Sequence, residues 1–106
     1  MILGLDISTS ITGVTVLDMQ GRCLYNQFWD TRNKNKFPSI YEKARFIHNN
    51  LRSLAMEYPI ENIFIEQSLH SFRSGFSSAQ TLSTLSRFNG IVSWHCFSIF
   101  GLKPEM

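Results

Sequence analysis

The chain has 106 residues, enough for one globular domain with one core and too few for two. Its 43% hydrophobic and 17% charged residues exclude disorder and low complexity, and a formal charge of +2 permits a polyanionic partner without identifying one. Cys23 and Cys96 lie far apart, with no CxxC pair, which excludes a disulfide framework or zinc cluster. No secretory signal or membrane-length apolar run is present, so we expect an intracellular, cytoplasmic protein without a membrane partner.

The first third of the sequence predicts three strands. Residues 2–5 form an apolar run that ends at Asp6, and β-branched and aromatic runs follow over residues 12–17 and 23–29. A turn-forming Asp18 and Gly21 separate the second run from the third. This pattern predicts an antiparallel three-strand meander.

A helix follows the meander. Ser39 stands three residues before Glu42, the capping-box spacing, and apolar residues then recur at steps of three and four until Pro59. Beyond it, Ile63 to Ile65 predicts a short strand covered on both faces and ending at Glu66. A second helix over residues 78–94 and a last strand over residues 95–100 complete a mixed sheet packed with helices, an α/β fold.

Two carboxylates follow apolar strands directly: Asp6 ends the first strand and Glu66 the fourth. If these strands are adjacent and parallel, both acids converge at one edge, where carboxylate oxygens would hold a hard divalent cation. The structural alternative is that Asp6 forms an Asx turn with Ser8 and that Glu66 caps the next segment.

Two segments of the sequence carry a family resemblance. The first is Ile2 to Ser10 with Thr12-Gly13-Val14, and the second is Ile63-Phe64-Ile65-Glu66-Gln67. Together they resemble the RuvC-like Holliday junction resolvases of the ribonuclease H-like superfamily. The resemblance covers nearly the whole chain, residues 1–106, as a single ribonuclease H-like domain. It implies a structure-selective endonuclease that cuts four-way DNA junctions as a homodimer with two divalent ions, Mg²⁺ or Mn²⁺. By resemblance, Asp6 would bridge the ions and Glu66 would ligate one of them.

The sequence departs from the family at its C-terminus. The family's other two acids lie on a helix beyond the fifth strand, whereas this sequence ends at Glu105-Met106. We therefore expect an incomplete domain that lacks the C-terminal helix, and a chain that by itself is an inactive fragment. Glu105 is not expected to substitute for the missing acids.

The stretch after the Glu66 strand supplies the candidate DNA contacts. In the family this segment lies near the junction, and in this sequence it contains Phe72, Arg73 and Phe76, which suit base stacking and phosphate contact. The alternative is that the two Phe side chains dock on the core. Elsewhere, His48 is expected on the helix surface and His95 at the start of the last strand.

Two other functions stay open. The Ser/Thr-rich residues 7–10 after Asp6 are similar to the first phosphate-binding loop of actin-like ATPases and sugar kinases, which would make the chain a nucleotide-binding half. A non-catalytic DNA-binding module that keeps the fold without the full acid cluster is the third hypothesis. Glu66 separates the nuclease from the kinase, since a Gly-rich stretch is expected at that point of a kinase.

Overall fold

In the computed structural model, which describes residues 1–66 and 79–106, the first three strands form the predicted antiparallel meander. They are β1 (Ile2–Asp6), β2 (Ile11–Leu17) and β3 (Cys23–Asp30). The turn between β2 and β3 is held by the Asp18 carboxylate, which accepts hydrogen bonds from the amides of Gln20 and Arg22, each at 2.9 Å.

Helix α1 (Ile40–Glu57) begins where the capping box predicts. The Ser39 hydroxyl accepts a hydrogen bond from the Tyr41 amide at 3.2 Å and donates one to the Glu42 carboxylate. That hydroxyl, together with backbone hydrogen bonds and the charge of a nearby arginine, lowers the pKa of Glu42. The residues of the predicted apolar stripe face inward, and the helix ends just before Pro59.

Strand β4 (Asn62–Glu66) lies parallel to β1, and the strand order is β3-β2-β1-β4. The predicted mixed sheet is thus confirmed. The prediction that β4 is covered on both faces is wrong: Ile63 and Ile65 are buried, whereas Phe64 between them is 43% exposed. Strand β4 therefore alternates, because in the described part of the chain the core covers only one face of the sheet.

The prediction of a last strand over residues 95–100 is also wrong. A single helix, α2 (Ala79–Phe100), runs through it, and its buried residues Phe88, Val92 and Cys96 recur at steps of four. The helix stops at Gly101, which has a φ of 69° and donates its amide to the Phe97 carbonyl at 2.9 Å. The aromatic residues near its end favour strands locally, but the core stripe continues through them and decides the structure.

A strand-like pairing occurs further along the chain. Glu105 forms a parallel bridge with Phe64 on the free edge of β4, through two backbone hydrogen bonds of 2.8 Å to residues 63 and 65. The edge of β4 is thus paired by Glu105, five residues beyond the stretch predicted as the last strand.

One core lies between the inner face of the sheet and the two helices, and α1 packs beside α2. All six elements contribute buried apolar side chains to it: Leu3, Leu5, Ile7, Val14, Val16, Trp29, Ala44, Ile47, Leu51, Leu54, Ile63, Ile65, Phe88, Val92 and Cys96. On the other face of the sheet, Phe28 is 75% exposed. Neither helix of the described chain is long and apolar enough to cross a membrane.

Candidate metal centre

Asp6 and Glu66 are direct neighbours in the sheet. They are the last residues of β1 and β4, and the parallel register pairs them with each other. Adjacent strands lie about 4.8 Å apart, so the two carboxylates leave the sheet side by side. The adjacent, parallel arrangement on which a shared cation depends is therefore present.

The alternation of the strands places both acids on the open face of the sheet. In β1, Leu3 and Leu5 point into the core, and in β4 their register partners Ile63 and Ile65 do the same. Asp6 and Glu66 are one residue further along, so both side chains point away from the core and are exposed.

Neither acid has a structural partner among the described residues, whereas other carboxylates do. Asp30 accepts hydrogen bonds from Arg32 at 2.8–3.2 Å, and this arginine lowers the pKa of Asp30 to about 2. The Asx turn proposed for Asp6 is absent among the described residues, where the Asp6 carboxylate accepts no hydrogen bond from Ser8; the Ser8 hydroxyl accepts one from the Ser10 amide at 3.1 Å.

Two carboxylates in register repel each other when no cation lies between them, since like charges directly opposite in a sheet are destabilising. A bound dication would convert that repulsion into attraction, and carboxylate oxygens are the ligands that hard cations prefer. The donor set thus fits Mg²⁺ or Mn²⁺.

Gly13 on β2 keeps the other flank of Asp6 open. It is paired with Asp6 across the β1–β2 ladder, and a Cβ at this position would lie 3.6 Å from the Asp6 Cβ and 3.7 Å from the Phe28 ring. Its φ is not positive, so the backbone does not require glycine at this position. Glycine inside a strand often marks a place where a ligand approaches closely, a signal in the sequence that was not used to predict the site.

The acids border a shallow cleft of about 420 Å³ on the open face. Gly13, Phe28 and Phe64 form its other walls together with Glu105. In residues 1–66 and 79–106, no three His, Cys, Asp or Glu side chains are grouped closely enough to hold one metal ion. Glu105 therefore lines the cleft without completing an acid cluster there.

The Ser/Thr-rich loop after Asp6 is held in place by hydrogen bonds to its backbone carbonyls. The Thr31 amide and hydroxyl donate to the Ser10 carbonyl at 2.8 and 3.1 Å, and the Lys43 ammonium donates to the Thr9 carbonyl. Because the Ser10 amide is also bonded within the loop, it is not free to bind a phosphate. This contact pattern weighs against the nucleotide-binding hypothesis.

The candidate DNA contacts Phe72, Arg73 and Phe76 lie outside the described residues, so their assignment stays a prediction. Of the residues singled out from the sequence, the structure brings together Asp6 and Glu66. Gly13, Phe28 and Phe64, which were not singled out as site residues, line the same cleft on the open face of the sheet.

Comparison with known proteins gives a likeness in structure alone. No protein-family model matches the sequence, and no curated protein matches it. The structure is similar to RuvC of T. thermophilus in complex with a Holliday junction substrate, with a TM-score of 0.75 and 16% identity over 97% of this chain. A second Thermus thermophilus RuvC structure matches 96% of this chain and 80% of its own, with a TM-score of 0.50 and 15% identity.

The chain spans 60% of the length of the first RuvC chain. The superposition includes almost every residue of the present protein, and it agrees with the resemblance found on the strands that end in Asp6 and Glu66. The protein therefore has the RuvC-like form of the ribonuclease H-type α/β fold.

Proposed function

We propose that this protein is a metal-dependent, structure-selective DNA endonuclease that acts on four-way junctions. The observation that carries the proposal is the Asp6–Glu66 pair: two exposed carboxylates, in register on parallel strands, without partners among the described residues. The similarity to a RuvC chain bound to a Holliday junction supports branched DNA as the substrate.

Asp6 and Glu66 would hold Mg²⁺, or Mn²⁺ in its place. When bound, such an ion polarises the phosphate and lowers the pKa of a coordinated water. Two carboxylates are half of the set that the resemblance implies, so we propose that this pair by itself binds the cation weakly.

The remaining residues of the cleft leave room for the DNA backbone. Gly13 places no side chain of its own beside Asp6, which leaves space next to the Phe28 ring for a phosphate to approach a metal ion held by the carboxylate. Phe72, Arg73 and Phe76 are proposed to contact the junction by stacking and by phosphate binding.

We also propose a homodimer. A four-way junction is resolved by two symmetric cuts, and two cuts at once need two sites related by a two-fold axis. Sedimentation of the protein with and without junction DNA, over a range of protein concentrations, tests this part separately.

The test of the function is an assay on a labelled four-way junction and a linear duplex of the same sequence, with Mg²⁺, Mn²⁺ or EDTA. We expect tighter binding of the junction, and any cleavage to require the metal and to disappear in Asp6→Asn and Glu66→Gln. Glu57→Gln, which removes an exposed carboxylate on α1, is the matched control and should behave as the parent.

The outcomes separate the three hypotheses. Junction binding that does not depend on the metal, without cleavage, would indicate a non-catalytic DNA-binding module. ATP binding without any preference for the junction would favour the nucleotide-binding alternative and contradict the proposal.

A further inference from the structure

Two histidines face each other between the helices, on a part of the molecule that the nuclease proposal does not use. His48 lies on α1 and His95 on α2, and both are partly buried. Their Nδ1 atoms are 3.1 Å apart, and the rings meet edge to face with centroids 4.5 Å apart.

Two imidazole nitrogens at this distance need something electropositive between them, because two lone pairs facing each other repel. A proton satisfies this need when one ring donates to the other. A metal ion does so as well: two nitrogens bound to one Zn²⁺ at about 2.0–2.1 Å lie about 2.9–3.4 Å apart when they occupy neighbouring coordination positions.

The distance between the two ring centroids excludes a collinear contact between the Nδ1 atoms. In a collinear N–H···N arrangement each ring would add its full radius to the 3.1 Å separation, and the centroids would lie further apart than the 4.5 Å observed. The contact between the two Nδ1 atoms is thus bent, and a bent contact at this distance is compatible with two neighbouring ligands of one ion.

Burial of His95 favours its neutral form, the form that binds a metal ion. Burial lowers the pKa of His95, and the neighbouring His48 lowers it further. Neutral imidazole nitrogen is a preferred ligand of Zn²⁺, Cu²⁺ and Ni²⁺ but not of Mg²⁺.

Solvent reaches His48 through a cleft of about 400 Å³, where Met56 and Ser98 also lie. Arg52 is the charged residue in this lining, and its exposed guanidinium weakens but does not block the approach of a cation. Because no third His, Cys, Asp or Glu is grouped with the pair in the described chain, water would complete the coordination.

We propose that His48 and His95 form a two-histidine site for a transition-metal dication of the Zn²⁺ class, which fastens α1 to α2. This site is independent of the carboxylate pair, whose oxygens select hard cations instead. Occupancy would stabilise the helix pair that covers the inner face of the sheet.

The test is a Zn²⁺ titration of Cys23→Ser protein, followed by imidazole NMR and by the Tm, with excess Mg²⁺ present to occupy carboxylate sites. The Cys23→Ser background removes an exposed thiol that would compete for the metal. We expect the His48 and His95 resonances to shift together up to one equivalent of Zn²⁺ and the Tm to rise, with no such changes from Mg²⁺ alone.

The Zn²⁺-induced rise in Tm should be lost in His48→Gln and in His95→Gln, and kept in His70→Ala, which removes the third histidine of the sequence. Retention of the rise in both Gln variants would overturn the proposal. If a Gln variant does not fold, the parent NMR titration decides, since separate or absent shifts of the two rings would also overturn it.

Discussion

Neutralising Asp6 should make the metal-free protein more stable. Asp6→Asn keeps the size of the side chain and removes one of two like charges held in register on β1 and β4. Two unit charges at the strand spacing of about 4.8 Å repel by about 0.9 kcal/mol in bulk water and by about 3.5 kcal/mol at an effective dielectric constant of about 20. Since both carboxylates are exposed, the lower value applies.

At about 0.01 M salt, where the screening length is about 30 Å, we therefore expect a gain of about 0.5–1 kcal/mol. This corresponds to a rise of about 2–6 °C in Tm for a domain of this size. The gain should shrink at about 0.15 M salt, where the screening length is about 8 Å.

The measurement is thermal and urea unfolding in EDTA at pH 7.5. Glu66→Gln should give the same gain, and the double variant should gain little more, because either single change already removes the repulsion. Glu57→Gln is the control for a general loss of negative charge; because Glu57 ends α1, where the helix dipole disfavours a carboxylate, any gain of its own should not depend on Mg²⁺.

Magnesium should reverse the order of stability. The parent protein is expected to gain stability with Mg²⁺, by about 2.7 kcal/mol at a concentration 100 times the dissociation constant, whereas Asp6→Asn should not respond. A fall in Tm for metal-free Asp6→Asn would refute the reasoning, because it would show that the carboxylate makes structural hydrogen bonds.

Three further predictions test other parts of the structure. Gly13→Ala should leave the Tm unchanged or higher, since the added Cβ makes only ordinary contacts, while reducing Mg²⁺ binding at Asp6; unchanged Mg²⁺ binding would show that access is not limited there. Lowering the pH below about 6.5 should reduce the free energy of unfolding, because the unfolded chain protonates His95 more readily than the folded chain; His95→Gln should weaken this pH dependence in unfolding curves. Ser39→Ala should cost about 1 kcal/mol by removing the cap of α1, and a smaller loss by urea denaturation would contradict that role.

The fold was predictable where local chemistry and packing agree. The apolar run of β1, the β-branched run of β2, the turn at Asp18 and the capping box at Ser39 each act over a few residues, and each predicted element is found there. The end of α2 was not predictable by the same means. Residues 95–100 of this helix are mostly of types that are common in strands. Cys96 nevertheless continues the buried stripe of the helix, and its contact with the core is visible only in three dimensions.

The carboxylate pair could be predicted because the geometry of a sheet is regular. Once β1 and β4 are parallel neighbours, acids at their carboxyl ends are adjacent whatever the rest of the chain does. Gly13 was missed because its effect depends on the antiparallel register that places it opposite Asp6, and a single glycine in a strand has several explanations.

The two histidines show why proximity between helices is harder to predict than proximity within a sheet. His48 was expected on the surface and His95 in a strand, and nothing in their spacing relates one to the other. They meet because α2 is longer than its sequence indicates and its last turns continue alongside α1. If α2 ended near Trp94, His95 would lie beyond the helix and the 3.1 Å contact would not form. The same extension of the helix that displaced the predicted strand therefore created the candidate two-histidine site, and a zinc titration that depends on both rings would confirm the helix end and the site together.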